Sequence, residues 1–112
     1  MVDLNELAYS HLQAARESEH GRSAELVAHD HELRQTILAL PEGGRLPEHN
    51  SPPAGSIQVL VGRLRVETED GELQEIGENE LRVLTPQRHS VLALEDAAFL
   101  LTTVTGVDRE SD

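Results

Sequence analysis

Apolar and polar positions change rhythm once along this chain. Leu4, Leu7, Ala8, Leu12 and Ala15, with His11 among them, recur at helical spacing on one face. Asp3 suits an N-cap, and Glu6 three positions later completes a capping-box pattern. Gly21 supplies a stop. The spacing predicts an amphipathic helix over residues 3–20. Only one of its sides is apolar, so it must lie against something, either the rest of the chain or a neighbouring subunit.

From Ser23 onward the period shortens to that of strands. Ser23–His29 and Leu33–Leu40 are short apolar-containing segments, the second closed by the turn residues Pro41-Glu42-Gly43-Gly44. Ser56–Val61 alternates, as does Arg63–Thr68, and Asp70-Gly71 is a hairpin signal between that strand and Glu72–Ile76. Further strands are predicted at Leu81–Leu84, Ser90–Leu94 and Ala97–Val104, with Glu95-Asp96 as the turn between the last two. Many short strands with frequent turns indicate an all-β sandwich or barrel behind one helix. Val91–Leu94 and Ala98–Leu101 are apolar on both faces, whereas a half-solvated sheet alternates. Their outer face is therefore expected to be covered by the helix or by a second copy, and a homodimer is the expected assembly.

Composition narrows the picture. At 112 residues, 38% hydrophobic and 27% charged, the chain is long enough for one modest core; with one Tyr, one Phe and no Trp that core must be aliphatic. A net charge of −12, with arginine as the only basic residue besides histidine, argues against a nucleic-acid partner, because phosphate binding needs clustered cations. The absence of cysteine excludes disulfides, thiol catalysis and thiolate ligation. No apolar run is long enough to span a bilayer, and the acidic start MVDLNELAYSHL does not read as a signal peptide; a cytoplasmic location is the expectation. No serine sits in a nucleophile elbow, and no glycine-rich piece has a phosphate-cradling pattern.

The candidate chemistry lies in two stretches, residues 43–62 and 84–94, each with a histidine beside a proline turn and an apolar run after it. That arrangement suggests two strand ends that bring His49 and His89 into one cavity. The pair could chelate a metal, act as a general acid–base couple, or hydrogen-bond a small polar ligand. His29-Asp30-His31 is a second His-x-His pair on an expected strand end; it would add ligands if that end reached the cavity. His11 is expected to pack on the helix face, and His20 suits the negative end of the helix dipole.

The two stretches resemble the paired motifs of the cupins, small jelly-roll barrels that hold a metal on three histidines and a glutamate. The frame Gly43, five residues, His49-Asn50-Ser51, three residues, Gly55, six residues, Gly62 fits the first motif in spacing. Ser51 stands where that family has its second histidine and Gly55 where it has its glutamate. In the second motif Gly77 leads one residue early, Leu84 and Pro86 take the Pro and Gly places, His89 matches, and Ala93 replaces the usual Asn. The resemblance covers about residues 33–104. It implies a cupin-type double-stranded β-helix with one N-terminal helix: residues 1–21 helix, 22–105 barrel, 106–112 a flexible acidic tail.

Within such a barrel, alternation from His49 and Ser51 turns Ile57, Val59 and Val61 toward the cavity, and alternation from His89 turns Val91 and Ala93 inward. The expected site is a polar mouth over an aliphatic floor, suited to a small, largely apolar ligand with one polar handle. Two imidazoles without the carboxylate would hold a divalent transition metal weakly if at all. The alternatives are a metal-dependent enzyme of dioxygenase or isomerase type on His49 and His89, with His29 or His31 added, and a dimeric sensory or scaffold module.

Overall fold

The computed structural model describes residues 1–49, 54–84 and 88–105, with the side chains of 47–49 left aside. One helix, α1 (Leu4–Glu17), precedes nine strands. These are β1 (Ser23–Asp30), β2 (Leu33–Leu40), β3 (Arg45–His49), β4 (Ala54–Val61), β5 (Leu64–Thr68), β6 (Leu73–Ile76), β7 (Leu81–Val83), β8 (His89–Ala93) and β9 (Ala97–Val104). The expected tail, residues 106–112, lies outside the described residues.

The Glu6 amide donates to the Asp3 carboxylate at 3.1 Å, so the predicted N-cap forms. The helix ends at Glu17, short of the predicted residue 20, because Ser18 takes an extended backbone (φ −81°, ψ 140°). Gly21, at φ +67°, completes the turn into β1. His20 thus stands beyond the last helical turn, where a dipole interaction has faded; its amide instead donates to the Ser18 hydroxyl at 3.1 Å.

Two antiparallel sheets pack face to face, a five-stranded one ordered β1-β2-β9-β4-β7 and a four-stranded one ordered β3-β8-β5-β6. Between them lies an aliphatic core that contains Leu38, Leu40, Ile57, Val59, Val91 and the single phenylalanine, Phe99. A second cluster sits on the outer side of the five-stranded sheet, where Ala8, Leu12 and Ala15 of α1 cover Ile37, Ala39 and Ala98. The helix therefore covers part of the face that sequence required to be covered. His11 fastens it to β1, its Nδ1 2.6 Å from the Ser23 hydroxyl and its Nε2 2.9 Å from a Glu25 carboxylate oxygen.

One expected inward residue faces the other way. In the β4–β9 ladder Val59 pairs with Phe99, but Val61 pairs with Ala98, so an extra residue is accommodated between them. Such a bulge advances the alternation by one position. Val61 accordingly packs with Leu60 against the helix-side cluster instead of entering the barrel. Strand β3 is the element that the sequence pattern does not reveal, since Pro47 interrupts it. It lies at a sheet edge, with a register shift between Leu46 and His49, the setting in which a residue without an N–H is tolerated.

Candidate functional site

His89 opens β8 and is the only buried polar side chain among the described residues, 3% exposed. Its neighbours follow from the ladder: Thr68 of β5 lies opposite on one side and His49 of β3 on the other. Directly paired positions belong to the same face of a sheet. The two histidine positions, forty residues apart in sequence, are thus adjacent in the fold at the end of the barrel where β3 passes into β4.

At this end the sheets part around a cavity of about 180 Å³. His89, Val66 and Leu84 form its deeper wall. Thr68, Asp70, Glu72 and Gln74 of the β5–β6 hairpin, with Arg82 and Val83 of β7, form the remainder. The register explains why these residues converge. Thr68 continues the inward alternation of Leu64 and Val66, Gln74 pairs with Val66, and Arg82 pairs with the buried Ile57.

The hairpin side of the wall is internally bonded. Asp70 accepts from the Thr68 hydroxyl and, at 3.2 Å, from the Glu72 amide; the Gln74 amide group donates to Glu72 Oε1 at 2.7 Å. Two carboxylates and an amide thus share the cavity wall with the Arg82 guanidinium and the His89 imidazole. That set can accept from hydroxyls, pair with a carboxylate through arginine, and exchange a proton through histidine.

The other anticipated residues are placed as follows. Ile57, Val59, Val91 and Ala93 lie in the interior as expected, but as filled core beneath the cavity rather than as its surface. Ser51 lies outside the described residues. His29 and His31 are exposed at the β1–β2 hairpin, on the edge strand that β2 and β9 separate from β4. His31, at φ 51° in the turn, binds its neighbour Asp30 at 2.8 Å. Among the described residues no three metal-binding side chains come together. Thr68, Asp70, Glu72, Gln74 and Arg82 are absent from the sequence motifs, since only pairing across strands brings them to the cavity.

A second, more open hollow of about 410 Å³ lies at the opposite end of β1, between Ala24, Leu38 and Leu46, with His20, Arg22 and Ser23 at its margin. It holds no buried polar group.

A cupin superfamily protein of Desulfitobacterium hafniense superposes with a TM-score of 0.71 at 10% identity, covering 79% of this chain and 81% of that one. The fold is the RmlC-like cupin fold. KdgF from a Halomonas species matches this chain at 25% identity and a TM-score of 0.69, over 80% and 84% of the two chains. A cupin-2 domain protein of Shewanella frigidimarina spans 93% of this chain and 94% of its own at 13% identity and a TM-score of 0.69. No protein-family model and no curated protein sequence matches the chain. No helix among the described residues is long and apolar enough to cross a membrane.

The donor set can be tested against the metal that cupins of the full motif hold. Gly55, at the glutamate place, has no side chain; its carbonyl takes the Leu84 amide at 2.9 Å, and it pairs with Thr103. Ser51 replaces a third imidazole. Glycine and serine at these two positions offer neither the carboxylate nor the imidazole that a divalent transition ion takes.

Proposed function

We propose that this cupin binds a small polar molecule in the barrel end bordered by His89, without dependence on a firmly held metal. The observation that supports this reading is a buried imidazole in the wall of a cavity whose other groups are mostly hydrogen-bonding. At about 180 Å³ the space is below the roughly 300–1,000 Å³ of drug-sized ligand sites, which restricts the occupant to a compact one. The sequence pattern leads to a largely apolar ligand with one polar handle; the lining instead favours a ligand with several. A short hydroxy acid suits it, with its carboxylate on Arg82, its hydroxyls on Thr68, Asp70 or Gln74, and His89 as the proton-exchanging contact.

Binding of such acids is measured by calorimetry on the wild type and on Arg82→Gln. Affinity should fall about tenfold or more in the variant, the scale of losing a charge-assisted hydrogen bond. The second reading, a metal-dependent enzyme, draws on the pairing of His49 with His89. Elemental analysis of protein purified without a polyhistidine tag separates the two. The binding reading expects substoichiometric metal; near-stoichiometric iron, manganese, nickel or zinc, lost in His49→Ala, would replace it with the enzyme reading.

A further inference from the structure

β1 and β3 are edge strands of different sheets, and no ladder joins them among the described residues. The open hollow of about 410 Å³ lies in that gap. Ala24 pairs with Leu38, so both side chains belong to one face, and Leu46 of β3 completes an apolar floor. Register separates this hollow from the His89 cavity. In one sheet Leu38 pairs with Phe99 and Phe99 with Val59; in the other Leu46 pairs with Val91. Phe99, Val59 and Val91 are buried, and the two spaces share no lining residue.

The margin has the opposite character. Gly21, at φ +67° with its amide on the Ser18 carbonyl at 3.1 Å, turns the chain from α1 into β1. His20 and Arg22 flank that turn, and both border the hollow with exposed side chains. Neither side chain has a hydrogen-bond or ion-pair partner among the described residues. Ser23, beside them, has its hydroxyl on His11.

We propose that this hollow binds a monocarboxylate with a short alkyl tail, the carboxylate on Arg22 and His20 and the tail on Ala24, Leu38 and Leu46. A guanidinium presents paired N–H donors that match a carboxylate. The floor offers nothing to hydroxyls, which sets aside sugars and hydroxy acids. Two basic groups on a chain of net charge −12 do not hold a polyanion, and Arg22 repels an alkyl cation. The volume lies within the roughly 300–1,000 Å³ of small-molecule sites. The proposal is independent of what the His89 cavity binds.

Titration of the ¹⁵N-labelled full chain with octanoate, followed through its amide resonances, tests it. Shifts should gather at residues 20–24, Leu38 and Leu46. Affinity should rise about two- to fourfold per methylene from butanoate to octanoate, as tail surface leaves water. Uncharged 1-octanol should bind about tenfold more weakly than octanoate. Arg22→Gln alters an exposed side chain and should keep its circular dichroism spectrum, yet bind octanoate about tenfold more weakly. Ala24→Glu, which sets a carboxylate in the floor, should weaken binding further. No shift at about 10 mM octanoate would overturn the proposal, whether the hollow closes in solution or another copy of the chain fills it. So would shifts centred on Thr68, Gln74 and Arg82, which would put the acid in the His89 cavity. Affinity indifferent to tail length or to Arg22→Gln would overturn it equally.

Discussion

Gly62 carries two constraints at once. Its φ of +82° lies where L side chains are strained, and a Cβ built there would stand 2.1 Å from the Asp96 carbonyl oxygen. The obstruction is backbone, so the β8–β9 turn itself would have to move. Gly62→Ala should therefore cost at least about 2 kcal/mol in urea unfolding, whereas Gly71→Ala, with open space around it, should cost less. Asp96 illustrates the electrostatic counterpart. Its carboxylate accepts from the Glu42 amide at 2.8 Å and from Arg16 at 2.6 and 3.0 Å. The Glu42 amide bond, then the arginine bond, hold its pKa below the ordinary 3.8 against a smaller opposing desolvation. A carboxylate whose folded pKa is depressed stabilises above the unfolded pKa, and that contribution is lost as pH falls through the folded value. Asp96→Asn should thus lose stability at neutral pH, by about 1 kcal/mol or less given the solvent around the pair. The difference from wild type should shrink below about pH 4, as thermal unfolding across pH would record.

At the scale of elements, α1 depends on its footing more than on its length. A helix of this size is marginal alone, so its order comes from Ala8, Leu12 and Ala15 against the sheet. Leu12→Ala, at a side chain 2% exposed, should cost about 2–4 kcal/mol in denaturant unfolding. Much of this level was legible beforehand: the helix, eight of the nine strands within a residue or two of their ends, and the hairpin at Asp70-Gly71. What was not legible has physical causes. β3 contains a proline, which reads as loop unless the strand is known to lie at an edge. The orientation of Val61 depends on a bulge, and a bulge is set by the partner strand. The helix stops at Glu17 because Ser18 turns extended, although the first stop signal in the sequence is Gly21.

For the whole molecule, the two motif stretches foretold both the double sheet and the meeting of the His49 and His89 positions, because motif spacing encodes which strand ends share a rim. They did not foretell the rest of the rim. Thr68, Glu72, Gln74 and Arg82 reach the cavity through the β5–β6 and β4–β7 pairings, which no local pattern declares. These residues line the cavity with hydrogen-bonding groups well beyond the two histidines expected at its mouth. The most direct test is a thermal-unfolding series with glycolate, lactate, malate and gluconate, run on the wild type and on His89→Gln. At ten times its dissociation constant, a ligand confined to the folded state should raise the wild-type midpoint by roughly 6 °C or more, and the variant should lose most of that shift. If none of the four acids moves the wild-type midpoint, or if the variant shifts as far as the wild type, the cavity around His89 is not the binding site described.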